Sequence, residues 1–327
     1  MDNIFDTKEQ FGEDEPSLRP LSLDDYIGQD NIKDSLRVYI KSALMRNEPL
    51  DHILLYGPPG LGKTTLATII ANEMGAHIHY ATGPSIEKAG DLVAILSNLS
   101  DNEILFIDEI HRIPRFIEEI LYTAMEDYRI DIMIGKDNAS RCLSLDLPKF
   151  TLIGATTRAG NLSSPLRDRF GIIYHLEYYN VNDLIKICSR TSRVLNVEIK
   201  EEAKEIIALS SRGTPRICNR LFKRVRDFAL VLNDGIIDLT CTNKAFKHLK
   251  ITKKGLDDQD LKYLDVLINI YGGGPVGIDA LAAQMGLDKD TLLDVYEPYL
   301  LKESYIRRTN RGREATKKAF LTLKKEE

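Results

Sequence analysis

The sequence predicts an α/β protein in three folded parts: a parallel-sheet domain covered by helices, a small all-helical domain and a C-terminal winged helix. Three observations lead there. From about residue 17 to 180, short apolar runs alternate with helical patterns, as expected of strands buried on both faces and joined by crossover helices. From about 182 to 250 the strand signal fades, and Ile206, Leu209, Leu221, Val225 and Phe228 recur at helical spacing. After Lys253-Lys254-Gly255, helical stretches around Leu261 to Tyr271, Ile278 to Met285 and Lys289 to Tyr299 precede β-prone Tyr305-Ile306, a polar turn and a basic tail. The implied division is a flexible acidic tail over 1–17 and domains at 18–181, 182–253 and 254–327.

Within the first domain, His52 to Tyr56, Ala76 to Ala81, Glu103 to Ile107, Phe150 to Ala155 and Ile172 to Leu176 read as the buried strands. Arg129 to Leu147 differs from them, because apolar and polar residues alternate around Gly135-Lys136-Asp137-Asn138. That pattern predicts a β-hairpin insert with a polar turn, placing Ile130, Ile132 and Ile134 on one face.

Bulk properties narrow the classes of function. A chain of 327 residues, 43% hydrophobic and 28% charged, is long enough for several soluble cores. No run approaches the roughly 18 apolar residues that a membrane helix needs, and Met1 to Pro16 is acidic, unlike a signal peptide; a cytoplasmic location is the expectation. Cys142, Cys188, Cys218 and Cys241 lie far apart without a CxxC pair, which points to buried free thiols. His77 and His79 share a strand face, yet no Cys or further His stands nearby to complete a metal site. The net charge is -5, but the sign is unevenly spread. Lys302 to Lys325 holds nine basic residues against two acidic ones, or +7, leaving -12 for the remainder. A local basic patch on an acidic body suits phosphate binding by one small module.

The strongest motif is Gly57-Pro58-Pro59-Gly60-Leu61-Gly62-Lys63-Thr64-Thr65, a phosphate loop directly after a strand. Glycines such as Gly60 and Gly62 let backbone N–H groups turn toward phosphates, and the helix beginning near Lys63 adds its positive end. Lys63 is positioned for the outer phosphates, and Thr64, followed by Thr65, offers a hydroxyl to Mg²⁺. Next, Ile104-Leu105-Phe106-Ile107-Asp108-Glu109 is an apolar strand ending in two carboxylates. Asp108 is suited to holding Mg²⁺, usually through water, and Glu109 to polarising the attacking water. ATP and Mg²⁺ are therefore the expected ligands.

Together these two motifs resemble the AAA+ ring ATPases, and the resemblance assigns further roles. Thr151 to Arg158 is another buried strand ending in hydroxyls; its tip would carry the residue that senses the γ-phosphate, Thr157, with Thr156 as the alternative. In Ser164-Pro165-Leu166-Arg167-Asp168-Arg169-Phe170, Arg169 resembles the arginine finger that reaches into a neighbouring subunit's pocket. A surface arginine paired with Asp168 is the plainer alternative. Arg216, opening a helix after Thr214-Pro215, resembles the second sensor, with Arg212 or Arg220 as alternatives.

Leu18-Arg19-Pro20, Tyr26-Ile27-Gly28-Gln29, Ala155-Thr156-Thr157-Arg158-Ala159-Gly160 and Leu166-Arg167-Asp168-Arg169-Phe170-Gly171 make the likeness more specific: from about Leu18 to Ala319 the chain resembles the RuvB family. That resemblance implies that Leu18, Arg19 and Tyr179 contact the nucleotide and that Glu126-Asp127-Tyr128 belongs to a nucleotide site. It implies that the hairpin docks a RuvA-like junction-binding protein through Ile130, Ile132 and Ile134, an apolar stripe that a partner would cover. It implies a winged-helix wing over Ile306 to Arg313 whose Arg308, Arg311 and Arg313 meet DNA phosphates without reading sequence, although Asn310 stands where proline is expected. The family would make this a homo-hexameric ATPase that moves duplex arms through itself to migrate Holliday junctions, with a RuvC-like resolvase as a further partner. A clamp-loader-like or regulatory module that grips DNA in one nucleotide state without translocating is the rival reading.

Overall fold

The structure is a computed structural model that describes residues 18–134 and 141–326. The acidic tail and the hairpin turn at Gly135 to Asn138 lie outside the described residues. The chain divides into two compact units, Arg19–Tyr178 and, separately, Leu18 with the chain from Tyr179 onward.

In the first unit, helix α1 (Asp30–Arg46) leads into strand β1 (Ile53–Tyr56), then α2 (Lys63–Met74), β2 (Ile78–Thr82), α3 (Ala89–Ser97), β3 (Ile104–Asp108) and α4 (Arg115–Asp127). The insert follows as β4 (Arg129–Ile134) and β5 (Arg141–Asp146), and the unit closes with β6 (Thr151–Thr156), α5 (Ser164–Asp168) and β7 (Ile172–His175). Five strands make a parallel sheet in the order β2-β3-β6-β1-β7. The apolar runs become central strands because both faces are covered: Ile53, Leu54, Leu55, Leu105, Ile107, Leu152 and Ile153 are fully buried. The sequence-based bounds hold to within two residues.

The order matters for chemistry. It inserts β6 between β1 and β3, so the segments that follow those three strands emerge side by side at one edge of the sheet. β4 and β5 form the expected antiparallel hairpin, with Ile130 opposite Leu145 and Ile132 opposite Leu143. Ile130, however, is completely buried in the core with Leu121, Met125 and Phe150. Its place at the root of the insert, directly after α4, turns it inward, so it is not part of an exposed docking stripe. The side chains of Ile132 and Ile134 lie outside the described residues.

The second unit starts with four helices, α6 (Val181–Leu195), α7 (Glu201–Ser210), α8 (Pro215–Leu232) and α9 (Leu239–His248). Local signals set their ends: Asn180 caps α6 by accepting the Asp183 N–H at 2.8 Å, and Asp238 caps α9 through Cys241 N–H at 2.7 Å. The winged-helix region holds α10 (Asp258–Asp265), which runs on as a π-turn to Ile270, and α11 (Ile278–Met285). A third helical run follows as α12 (Lys289–Thr291), a π-turn and α13 (Glu297–Lys302), then strands β8 (Ile306–Thr309) and β9 (Gly312–Ala315). Its core gathers Tyr263, Leu267, Leu281, Leu292, Leu300 and Tyr305. The basic tail is a further helix, α14 (Lys317–Glu326), tied back where Lys318 donates to the Glu303 carbonyl at 2.6 Å.

Cys188, Cys218 and Cys241 are buried free thiols; the hydrogen bond with Cys218 and burial hold the Cys188 thiol far above its ordinary range, so it stays protonated. Among the described residues no helix is long and apolar enough to cross a membrane.

Candidate nucleotide site and its distant arginine

The phosphate loop is shaped by backbone that side chains would obstruct. Gly62 adopts φ 98° immediately before α2, and a Cβ there would stand 3.0 Å from the hydroxyl of buried Tyr26. Such a conformation suits glycine, and it aims the N-terminus of α2 at the loop's interior. Lys63, the first residue of α2, is 7% exposed, and its ammonium donates to the carbonyls of Gly57 at 2.8 Å and Pro58 at 3.0 Å. The cation thus lies folded against the loop that it would leave to meet a triphosphate. Thr64 and Thr65 follow in the first turn, partly buried.

Asp108 ends β3, and its Oδ1 accepts the N–H of Glu109 at 2.9 Å. Glu109 has φ 52°, a left-handed conformation that non-glycine residues adopt at a cost of about 1–3 kcal/mol. The kink turns the chain sharply out of the strand. It is sealed by Gly83, where a Cβ would lie 2.2 Å from the Glu109 carbonyl oxygen. Among the described residues no group of three or more His, Cys, Asp or Glu side chains could hold a metal by itself. His79 is paired with Glu103 at 2.8 Å. A Thr64 hydroxyl and one Asp108 carboxylate do fit Mg²⁺ of the kind that arrives bound to phosphates and keeps much of its water.

At the β6 tip, Thr156 is fully buried, and its hydroxyl lies 2.8 Å from His111 Nδ1 and accepts the Arg158 N–H at 2.9 Å. Thr157 follows it, partly buried. The sequence reading missed His111, two residues after Glu109; a lone histidine in a polar strand end was the available signal.

Arg169 lies elsewhere. In a parallel sheet all strand ends share one edge, and Arg169 comes just before β7 starts, so it sits at the opposite edge from the phosphate loop of its own chain. A four-residue strand separates the two edges by about 13 Å at ~3.3 Å per residue. Arg169 is 39% exposed and pairs with Glu126 at 2.6 Å, its guanidinium 5.9 Å from the Tyr122 ring centre. Its partner is not Asp168, which instead lies 3.9 Å from Arg167. Glu126, Asp127 and Tyr128 end α4 on this same far edge. His52 fastens them there: its Nε2 lies 3.1 Å from the Met125 carbonyl, its Nδ1 accepts the Leu152 N–H at 2.9 Å, and burial lowers its pKa. These three residues therefore do not line the phosphate loop of their own subunit.

In the second unit, Tyr179 is buried and donates its N–H to Gly213 at 2.9 Å, and Arg190 donates to the Leu18 carbonyl. Arg19 is partly buried in the first unit. Arg216 occupies the first turn of α8 after Pro215, and that turn has no acidic residue. A cation there opposes the helix dipole, which makes it a natural anion contact. Arg212 is instead enclosed, 5% exposed: it donates to the Gly255 carbonyl at 2.7 Å, forms an ion pair with Asp260 and lies over Tyr299 at 4.6 Å. That removes it as an alternative sensor.

The wing is more braced than its sequence suggests. Glu297, entirely buried at the start of α13, accepts from Arg308 Nε at 2.9 Å, Arg313 Nε at 2.8 Å and the Tyr263 hydroxyl at 2.9 Å. Arg307 pairs with Glu314 at 2.7 Å. Arg308 is still 47% exposed on its side chain, Arg313 only 15%. Arg311 stands exposed at the turn between β8 and β9.

Three family models match in succession: the Holliday junction DNA helicase RuvB P-loop domain over residues 18–176, the RuvB AAA lid domain over 179–252 and the RuvB C-terminal winged helix domain over 253–324. The Holliday junction branch migration complex subunit RuvB of Lactobacillus johnsonii is 57% identical over 309 residues, 94% of this chain and 91% of that protein. Its counterpart in Acholeplasma laidlawii is 56% identical over 311 residues, covering 95% and 92%. The solved Thermotoga maritima RuvB, described as a Holliday junction branch migration motor, superposes with a TM-score of 0.86 at 50% identity over 94% of this chain and 98% of that one. A phosphate loop, a lid and a winged helix matched in order, with relatives more than half identical along nearly the whole length, establish that this chain belongs to the RuvB family of AAA+ proteins.

Proposed function

We propose that the chain is an ATP-driven DNA motor that forms a homo-hexameric ring on duplex DNA and, with a RuvA-like protein at the crossover, migrates four-way junctions in recombination and repair. One observation carries the mechanism: Arg169 lies on the sheet edge opposite the phosphate loop of its own subunit, exposed beside Glu126. A guanidinium so placed serves a neighbour's nucleotide, and each pocket is then complete only between two subunits.

In that pocket Lys63 moves from the Gly57 and Pro58 carbonyls to the outer phosphates, while Gly60, Gly62 and Thr65 cradle them. Thr64 and Asp108 hold the Mg²⁺ that accompanies ATP, and Glu109 polarises the attacking water. Thr157 senses the γ-phosphate, since the Thr156 hydroxyl is engaged by His111. Arg216 contacts the nucleotide from the lid, Leu18 and Arg19 lie against the adenine, and Tyr179 also contacts the nucleotide. From the adjacent subunit come Arg169 with Glu126, Asp127 and Tyr128. The hairpin docks the RuvA-like partner through Ile132 and Ile134, and a RuvC-like resolvase acts on the same junction in the cytoplasm. Arg311 and Arg308 meet DNA phosphates, with Arg313 chiefly bracing the wing. The domains run over 18–181, 182–253 and 254–327.

The test is a synthetic four-way junction incubated with ATP, with and without RuvA. ATP-dependent separation of its arms, stimulated by RuvA and lost in Glu109→Gln, is expected. A chain that binds the junction and hydrolyses ATP yet never moves the crossover is a clamp-loader-like module instead.

A further inference from the structure

After the kink at Glu109, Ile110 to Arg112 make a single 3₁₀ turn. Ile110 is fully buried, and its Cδ1 and Cγ2 methyls lie 3.0 and 3.4 Å from where a Cβ on Gly154 of β6 would stand. That anchor presents His111, 8% exposed, to the β6 tip: Nδ1 is 2.8 Å from Thr156 Oγ1, and Nε2 is 3.5 Å from Glu109 Oε2.

The protons in this chain of contacts can be assigned from chemistry. A carboxylate only accepts, so the His111 nitrogen facing Glu109 is the N–H. His111 Nδ1 then accepts the Thr156 O–H, and the Thr156 oxygen accepts the backbone N–H of Arg158. These contacts run from the backbone beyond Thr157 to the Glu109 carboxylate.

We infer that His111 is a positioning residue for ATP hydrolysis: it steers the Glu109 carboxylate from the β6 tip, so that a shift of Thr156 to Arg158 on nucleotide binding reaches Glu109. The 3.5 Å separation is longer than a full hydrogen bond, so a small displacement of either residue would be enough to make or break the contact. Two polar partners alone do not set His111 apart, since His52 has them too; what does is that one of its partners is the Glu109 carboxylate and the other the β6 tip. The inference rests on the reading of Glu109 as the group that polarises water.

Steady-state ATPase of the full chain with duplex DNA, and binding of a fluorescent ATP analogue, test it. His111→Ala should lower kcat about tenfold or more, a loss usual for groups that orient reacting ones, with KM and analogue affinity within about twofold of wild type. His111→Gln returns an N–H donor near the Nε2 position and should recover part of that loss. Thr156→Val cuts the chain at its other end without changing volume; it too should lower kcat, and combined with His111→Ala it should cost no more than His111→Ala alone. Wild-type kcat in either His111→Ala or Thr156→Val overturns the inference, as do additive losses or parallel losses of affinity and melting temperature in both. Glu109→Gln separates the two readings: it should bind the analogue without hydrolysing ATP. If it hydrolyses normally, the role of Glu109 falls; if it is inert while His111→Ala turns over like wild type, only the steering by His111 falls.

Discussion

Arg212 and Arg216 are four residues apart and carry the same charge, yet their surroundings assign them different work. Arg212 is enclosed against Asp257, Asp260 and Tyr299, and its loss strands buried carboxylates. Arg212→Ala should therefore destabilise the fold by about 3–5 kcal/mol, read as a lower urea midpoint, whereas Arg216→Ala should change stability by less than about 1 kcal/mol while ATPase activity falls. His52 is a residue-scale case with a pH signature. Both ring nitrogens are committed, Nδ1 as an acceptor, and burial depresses the pKa below the ordinary 6.5. Its contribution is complete above pH ~6.5 and declines as pH falls toward the lowered folded-state value. Melting temperatures between pH 7.5 and 5 should drop more steeply for wild type than for His52→Gln; parallel slopes contradict this.

At the scale of elements, the wing shows where sequence pattern stops short. Tyr305-Ile306 and a polar turn announced the hairpin, and alternation of apolar and polar residues gave the insert β4–β5, because both depend on neighbours in sequence. Glu297 was not legible as the wing's anchor: it reads as one acidic residue in a helix until folding brings Arg308, Arg313 and Tyr263 to it. Ile130 failed for a related reason, since strand alternation defines a face without telling which way that face looks. The bracing makes two predictions. Glu297→Ala should unfold or loosen the winged helix by about 3–5 kcal/mol, by leaving its cations unpaired. Arg311→Ala should leave stability intact, weaken DNA binding alike for all sequences, and reduce the salt dependence of log Kd by about one phosphate's worth; fluorescence anisotropy across salt concentrations measures both.

At the scale of the whole molecule, the phosphate loop, the paired carboxylates and the hydroxyl-tipped strand were readable because each motif follows a buried strand that the sheet order then gathers at one edge. What could not be read from the chain was that Glu126 and Arg169, distant in sequence, meet on the other edge. On the proposed reading, that separation would make hydrolysis a property of a pair of subunits. Complementation measures it directly: ATPase activity of Lys63→Ala and Arg169→Ala proteins, each alone and then mixed. Each alone should be nearly inactive. Mixing places an intact Arg169 from the first beside an intact phosphate loop of the second, so the mixture should regain a substantial fraction of DNA-stimulated activity. Mixtures that stay as inactive as their components, while still assembling together, contradict a site shared between neighbours.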